Sequence, residues 1–148
     1  MPVIEIGNIQ YQVPPWMTAV RVLDDSGNVQ FSVTMGGVTK IADGGTVTQA
    51  SSASTGVTLN ASSGQITTVA QNIAAAAEVQ FTVTNSRVAA VDTVIVNVAS
   101  GSTGGTTIAA VTAVAAGSFQ ITLTNLHAST AETGTLVLNF MVIKGSAT

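Results

Sequence analysis

The chain has 148 residues, of which only 7% are charged, with no cysteine and a single histidine. This composition argues against an enzyme, because acid–base, nucleophilic and metal chemistry draw on side chains that are scarce here. The net charge of −3 and the four scattered basic residues argue against nucleic-acid binding, which needs clustered Lys and Arg. We therefore expect a protein that packs and assembles, with no cofactor and no metal.

The surface of such a chain must consist mainly of Thr, Ser, Asn and Gln, interrupted by Ala and Val. Soluble domains usually carry about 25% charged residues, and a surface with far fewer is poorly protected against association. We expect copies of the chain or a partner protein to cover much of it. The chain contains no run of about 18 apolar residues, so we expect no membrane-spanning helix. The first residues lack the basic and apolar segments of a secretory signal.

Short strand patterns separated by turn residues follow one another along the chain. Two early strands, 18–23 and 29–34, flank Asp24 to Asn28, which predicts a hairpin turn. The alanine-rich segment 70–78 predicts a turn or one helical turn, because it is too short for an isolated helix. The other predicted strands are 3–6, 57–60, 65–69, 79–83, 93–98, 106–114, 119–123 and 135–143. Turns are predicted at Gly36-Gly37, Gly44-Gly45, Ser63-Gly64, Ala116-Gly117 and Thr133-Gly134. This spacing predicts an all-β fold, an antiparallel β-sandwich of jelly-roll or immunoglobulin-like type.

Four of these strands carry further information. Segments 79–85 and 119–125 alternate apolar and polar residues, match in residue class along their length, and both end in Thr-Asn. Asn tolerates the left-handed conformation that ends a strand, so we expect a turn after each. Internal duplication and the general likeness of half-buried strands both explain the match. Segments 94–96 and 140–143 are apolar on consecutive positions, which is typical of strands covered on both faces by the core and by a neighbour or second sheet.

Composition changes near Gly44-Gly45. The only Trp, the only Tyr and all three prolines precede this point, and a composition dominated by Thr, Val, Ala and Ser follows it. We therefore expect an N-terminal arm or hairpin over residues 1–45 and a β-sandwich oligomerisation domain over 46–148. Large aromatics beside prolines suit an anchor that inserts into a partner's groove. The predicted partner-binding residues are Tyr11, Pro14, Pro15, Trp16 and Met17, with the alternative that Trp16 plugs one end of the sandwich core.

The candidate chemistry rests on very few side chains. A Ser–His–Asp triad would have to use His127, with Asp43, Asp92 or Glu132 as its orienting acid, and no Gly-x-Ser-x-Gly segment marks a nucleophile. The glycine-rich stretch 101–105 lacks the following helix and Lys of a phosphate cradle, which favours an inter-strand loop. We therefore predict no catalytic, cofactor or metal residues.

Over residues 55–145 the chain resembles a module that recurs in structural proteins of tailed bacteriophages and prophages. The resemblance lies in the order of segments 55–60, 63–67, 77–85, 116–125 and 138–145. It is most similar to a small capsid decoration (cement) protein or head fibre, which implies a virion structural protein, typically a homotrimer. Such a protein binds the major capsid protein on the outside of the shell and stabilises it, and occupies the host cytoplasm during assembly. Neither nucleic acid nor membrane is an implied partner.

Three other functions remain open at this stage. A tail-fibre or spike module would bind a host receptor or glycan, although sugar sites favour aromatic platforms and aromatics make up only 4% of this chain. An enzyme such as a depolymerase domain is opposed by the single histidine and the scattered acids. A bacterial adhesion sandwich would need export.

Overall fold

The computed structural model of the chain describes the backbone of strands 3–6, 9–12, 19–23, 29–34 and 39–41, and residues 44–146 with their side chains. The chain divides into two compact units, Met1–Ala42 and Asp43–Thr148. In the first unit β1 (Val3–Ile6) and β2 (Ile9–Gln12) form an antiparallel pair. A three-stranded antiparallel sheet follows, made of β3 (Ala19–Leu23), β4 (Val29–Thr34) and β5 (Thr39–Ile41).

The second unit is built from two packed four-stranded sheets. Sheet 1 has the order β10-β13-β8-β6 and sheet 2 the order β11-β12-β9-β7. The strands are β6 (Gly44–Thr48), β7 (Val57–Thr58), β8 (Ser63–Ala70), β9 (Glu78–Thr84), β10 (Thr93–Ser100), β11 (Thr107–Ala115), β12 (Ser118–Asn125) and β13 (Thr135–Ile143). No helix occurs within residues 44–146. The predicted all-β sandwich is confirmed.

Strand pairing in the second unit is nested. β8 pairs with β13 and β9 with β12, both antiparallel, while β10 lies beside β11 where the two sheets meet. The first two strands of the unit differ, because β6 runs parallel to β8 and β7 parallel to β9. Alternation of side chains is the same in parallel and antiparallel strands, so the sequence pattern does not report this difference.

The core lies between the sheets and is mainly aliphatic. Phe119, Ile121 and Leu123 of β12 are at most 2% exposed, as the period-two pattern requires. Phe119 and Phe140 meet across the core with ring centroids 5.3 Å apart and tilted planes. The other core residues are Val57, Ile66, Ile73, Phe81, Val83, Val88, Val94, Leu136, Leu138 and Val142.

The two similar segments are neighbours in sheet 2. β9 and β12 pair antiparallel, so Asn85, which follows β9, and Asn125, the last residue of β12, lie at opposite ends of the sandwich. A turn follows Asn85 at Ser86-Arg87, as expected, but neither asparagine has the left-handed conformation, because Ala76 is the only non-glycine residue with positive φ among the described residues. Both asparagines are instead fully buried and hydrogen-bond to loop backbone. Each closes one end of the sandwich with its side chain.

Two predicted turns are strand residues in the structure. Gly44-Gly45 begins β6 and Ser63-Gly64 begins β8, and the two glycines Gly45 and Gly64 face each other in the register. A Cβ on Gly64 would lie 2.6 Å from Leu59 Cδ2 and 2.8 Å from Phe140 Cε1. Glycine is therefore required there for close packing rather than for chain reversal.

The Gly64→Ala substitution is expected to lower the free energy of unfolding by about 2 kcal/mol, because the added methyl overpacks a filled site. Gly44→Ala is the matched control, since its nearest contact would be an ordinary 3.5 Å to Ser63 Oγ. Urea unfolding of the two variants measures the difference. Equal destabilisation by both would contradict the packing argument.

The remaining predicted segments fall as follows. Residues 70–78 contain a turn at Ala75-Ala76 and an isolated bridge between Ile73 and Glu132, so the predicted turn is confirmed and the helical alternative is wrong. β2, β5 and β6 were not expected as strands. Asp24 to Asn28 lie outside the described residues, although the strands on either side pair antiparallel. The first unit ends at Ala42 and Gly44 already belongs to the sandwich. The separate role of the arm stays a prediction.

Candidate functional site

His127 hydrogen-bonds to the backbone of its own loop. Its Nδ1 accepts hydrogen bonds from the backbone N–H groups of Ser129 (3.2 Å) and Thr130 (3.0 Å). Asp92 and Glu132 hydrogen-bond to other groups, described below, and Asp43 lies outside the described residues. No cluster of three or more His, Asp or Glu suited to a metal ion occurs within the described residues. Among the described candidates for a triad, neither Asp92 nor Glu132 is hydrogen-bonded to His127.

Glu132 is the centre of a buried polar network at one end of the sandwich, which we call the Glu132 end. Its side chain is fully buried. Oε1 accepts hydrogen bonds from the backbone N–H groups of Thr103 (2.7 Å) and Gly134 (2.7 Å). Oε2 accepts from the hydroxyls of Ser102 (2.5 Å) and Thr107 (2.9 Å). The carboxylate thus ties the loop between β10 and β11 to the segment that enters β13.

The glycines around Glu132 make room for its carboxylate. A Cβ on Gly105 would lie 2.8 Å from Glu132 Cβ, and one on Gly134 would lie 2.9 Å from Oε1. The stretch 101–105 is an inter-strand loop, as predicted, and the anion it surrounds is a side chain of the same chain. The sequence gives little local signal for this role, because three of the four donors come from residues 25 to 30 positions away from Glu132.

Burial raises the pKa of Glu132, but its four hydrogen bonds outweigh this effect and lower the pKa from 4.5 to about 2. The largest lowering contribution comes from the Ser102 hydroxyl, followed by the backbone N–H groups of Thr103 and Gly134. A carboxylate with this pKa and no solvent access is a structural acceptor and is unsuited to proton transfer near neutral pH.

Asn125 joins three segments at the same end. Its Nδ2 donates to the carbonyls of Ile73 (3.1 Å), Ala74 (3.2 Å) and Thr130 (2.8 Å). Its Oδ1 accepts from the backbone N–H groups of Thr106 (3.2 Å) and His127 (3.0 Å). Three carbonyls on one side and two N–H groups on the other fix the orientation of the amide.

Asp92 closes the opposite end, between the β9–β10 loop and the chain after β13. Its carboxylate accepts hydrogen bonds from Lys144 Nζ, from the N–H of Ala89 (2.8 Å) and from the N–H of Gly145 (3.0 Å). The bond from Lys144, followed by the two backbone donors, lowers the pKa of Asp92 from 3.8 to about 2. Both ends of the sandwich are therefore closed by an ionised carboxylate.

The outer faces of the two sheets are nearly free of charge. On sheet 1 every outward-facing strand residue is uncharged, and on sheet 2 the one charged residue is Glu78. Polar side chains bond to each other across strands: Gln80 donates to Thr112 (3.0 Å) and to Thr122 (2.9 Å). Gln65 likewise donates to Asn139 (3.1 Å). Covering such a face with another protein costs little desolvation, because these groups already have partners.

A shallow open cavity of about 210 Å³ lies on the outer face of sheet 2, beside the bulge at Val111/Ala113. Ligand pockets usually measure about 300–1,000 Å³. Its walls offer hydroxyl, amide and methyl groups but no charge, and its one aromatic residue, Phe119, is buried. The lining residues are Thr82, Ala113, Ala115, Ser118, Phe119 and Gln120.

An apolar surface occupies one corner of sheet 1. Val91, Ile95 and Ile143 are 50%, 49% and 45% exposed, and the half-buried Met141 lies opposite Ile95 in the register. We call these four residues the apolar corner. They include the outward-facing members of the two consecutive apolar runs in the sequence. The prediction that a neighbour or second sheet also covers the outer face of these two segments stays a prediction.

The predicted partner-binding residues belong to the first unit. Tyr11 lies in β2, where its backbone pairs with Ile4. Pro14, Pro15, Trp16 and Met17 lie outside the described residues. Their proposed role as an anchor stays a prediction.

Comparison of the chain with known protein families, with curated proteins and with solved structures finds no match. No helix long and apolar enough to cross a membrane occurs in the part of the chain that the structure describes. The candidate functional surfaces are the nearly uncharged outer faces of the two sheets, the apolar corner, and the predicted partner-binding residues between Tyr11 and Met17.

Proposed function

We propose that this chain is a virion structural protein that binds the outside of a bacteriophage capsid and stabilises it as a decoration protein. The resemblance over residues 55–145 suggests this function. The observation that favours it among the residues of this chain is the pair of outer faces, on which Glu78 is the one charged strand residue and several polar side chains bond to one another across strands. Faces of this kind suit permanent coverage by other subunits.

The mechanism relies on binding free energy. A protein that bridges neighbouring capsid subunits adds stability that exists only in the assembled shell. In this proposal the sandwich forms a homotrimer, and the arm, with Tyr11, Pro14, Pro15, Trp16 and Met17, contacts the major capsid protein. Three arms on one trimer multiply weak contacts through effective concentration.

The direct test is co-sedimentation of the full-length protein with capsids of the phage or prophage whose genome carries it. We expect binding to capsids and a higher temperature of shell disruption when the protein is bound. Binding to host cells without binding to capsids would overturn the proposal in favour of a tail-fibre or spike module.

Truncating the aromatic anchor is expected to weaken capsid binding about thirtyfold or more, because buried aromatic anchors typically contribute about 2 kcal/mol or more. The variant is Trp16→Ala with Met17→Ala, and Leu126→Ala, which removes an exposed apolar side chain of the sandwich, is the control. Native mass measurement checks that both variants keep the wild-type oligomeric state.

A deletion tests the same division of roles. It must stop at residue 42, because deletion through residue 45 would remove Gly44 and Gly45 from β6. The remaining chain should form the wild-type oligomer and fail to bind shells. A truncated protein that still decorates capsids would show that the arm is not the attachment segment.

A further inference from the structure

Three of the five large hydrophobic side chains exposed within residues 44–146 belong to the apolar corner. The register places Thr93 opposite Ile143 and Ile95 opposite Met141, so the corner spans two adjacent strands. Val91 precedes β10 in a turn, and its carbonyl lies so close to Gly145 that no side chain would fit there. The corner is therefore one continuous surface at the Asp92 end of sheet 1.

The corner lies on the outward face of two paired strands, β10 and β13. β10 is an end strand of sheet 1, and its edge lies beside β11 of sheet 2. Another protein would therefore contact the corner through the outward face of β10 and β13 and not through the strand edge. β10 contains neither Lys nor Pro, and its register is regular from Thr93 to Val98, so nothing in this part of the strand hinders contact with that face.

The charges around the corner favour a second copy of the chain as the occupant. The outward positions of sheet 1 carry no charge, and the nearby Lys144 is paired with the buried Asp92. Two copies that meet on these outward strand positions therefore bring no like charges together there, and a strongly charged partner would find no complementary group on them.

The other two exposed apolar residues of the sandwich lie close to a charged side chain. Ile108 and Leu126 are exposed on the sheet 2 side, but Thr124, opposite Ile108, donates to the exposed Glu78 (3.2 Å). Two copies meeting there would bring their Glu78 carboxylates close together, which is unfavourable.

We infer that the apolar corner, Val91, Ile95, Met141 and Ile143, is the surface through which one copy of this chain binds a second copy. This inference rests on the proposed function in one respect, because the proposed function requires self-association and the inference names the surface through which it occurs. Association through uncharged apolar groups strengthens in sulfate and changes little with sodium chloride.

The test uses the full chain and a pair of matched variants. Ile95→Lys places a charge in the corner, and Ile108→Lys places one on the other sheet at a residue of the same type and similar exposure, 47% against 49%. Native mass and sedimentation velocity give the oligomeric state over a range of concentrations. We expect the wild type and Ile108→Lys to associate, and Ile95→Lys to need at least about tenfold higher concentration to do so.

The outcomes separate the inference from the proposed function. Retention of the wild-type oligomer by both Ile95→Lys and Ile143→Lys would overturn the inference, leave the proposed function standing, and point to another protein or the first unit as the occupant. Dissociation by Ile108→Lys alone would also overturn it. A wild type that stays monomeric at high concentration would overturn the inference, while capsid co-sedimentation would still decide the proposed function.

Should Ile95→Lys fail to fold, as judged by circular dichroism, a cysteine supplies an independent readout. The chain has no cysteine, so Ile95→Cys introduces a single thiol. A symmetry axis at the corner brings this residue of different copies together, and we expect oxidation to give a covalent dimer. Ile108→Cys should give none under the same conditions. No covalent dimer with Ile95→Cys, or equal amounts with both, would overturn the inference.

Discussion

Replacing Glu132 with Gln is expected to lower the free energy of unfolding by about 3 kcal/mol, because the carboxylate satisfies four buried donors. Gln retains one acceptor oxygen and places an NH₂ group against the other pair of donors. Each donor left unpaired in a buried site costs about 1–3 kcal/mol. Urea unfolding at pH 7 measures the loss.

Glu78→Gln is the matched control for this prediction. Glu78 is exposed and accepts a bond from Thr124 at 3.2 Å, so the same chemical change should alter stability by about 0.5 kcal/mol or less. Similar losses in both variants would mean that the Glu132 network does not hold the loops at its end of the sandwich.

The same residue predicts how stability depends on pH. The pKa of Glu132 is lowered in the folded state from 4.5 to about 2, so the folded protein favours the ionised form. Its contribution is fully present above about pH 4.5 and is lost as the pH falls toward 2. Wild-type stability should therefore fall in this range, and Glu132→Gln should flatten the dependence. A shallower fall should remain in the variant because the pKa of Asp92 is also lowered, from 3.8 to about 2.

Local pattern was sufficient to locate most of the sandwich strands. Period-two alternation marked β9, β12 and β13 because one face of each lies against the core. It failed at β6, where glycine replaces the apolar residues that would reveal a strand. A Cβ on Gly45 would lie 2.7 Å from Leu59 Cδ1, so close packing requires glycine there, and that requirement exists only in three dimensions.

The buried polar side chains at the two ends of the sandwich could not be predicted from the sequence, for a related reason. An Asn ends each of the two similar segments, and a left-handed backbone conformation was predicted as the reason for it. This prediction is wrong. Asn85 and Asn125 act through side-chain bonds to residues 24 and 52 positions away at the longest. Glu132 likewise bonds to groups that only the assembled fold brings together. Such roles depend on contacts between distant segments and leave no local periodicity.

The second large effect is expected for Asn125→Asp, which should lower the free energy of unfolding by about 4 kcal/mol or prevent folding. The substitution keeps the shape of the side chain and changes its hydrogen bonding. The Nδ2 group that donates to three carbonyls becomes an oxygen that faces the same carbonyls. Three favourable contacts thereby become repulsive ones inside a buried site.

Charge adds to this loss. Asn125 Oδ1 and Glu132 Oε2 both lie 3.0 Å from the position that a Cβ on Gly105 would occupy, so the new carboxylate would lie near an existing one. Two nearby buried carboxylates cannot both ionise without cost, and the pKa of at least one must rise. Asn125→Asp should therefore regain stability as the pH falls toward 4, the reverse of the wild-type trend. Asn139→Asp is the control, because this exposed residue can still accept its bond from Gln65. Urea unfolding at pH 7 and pH 4 distinguishes the two variants, and a neutral effect of Asn125→Asp at both pH values would show that the amide does not join the loops at the Glu132 end.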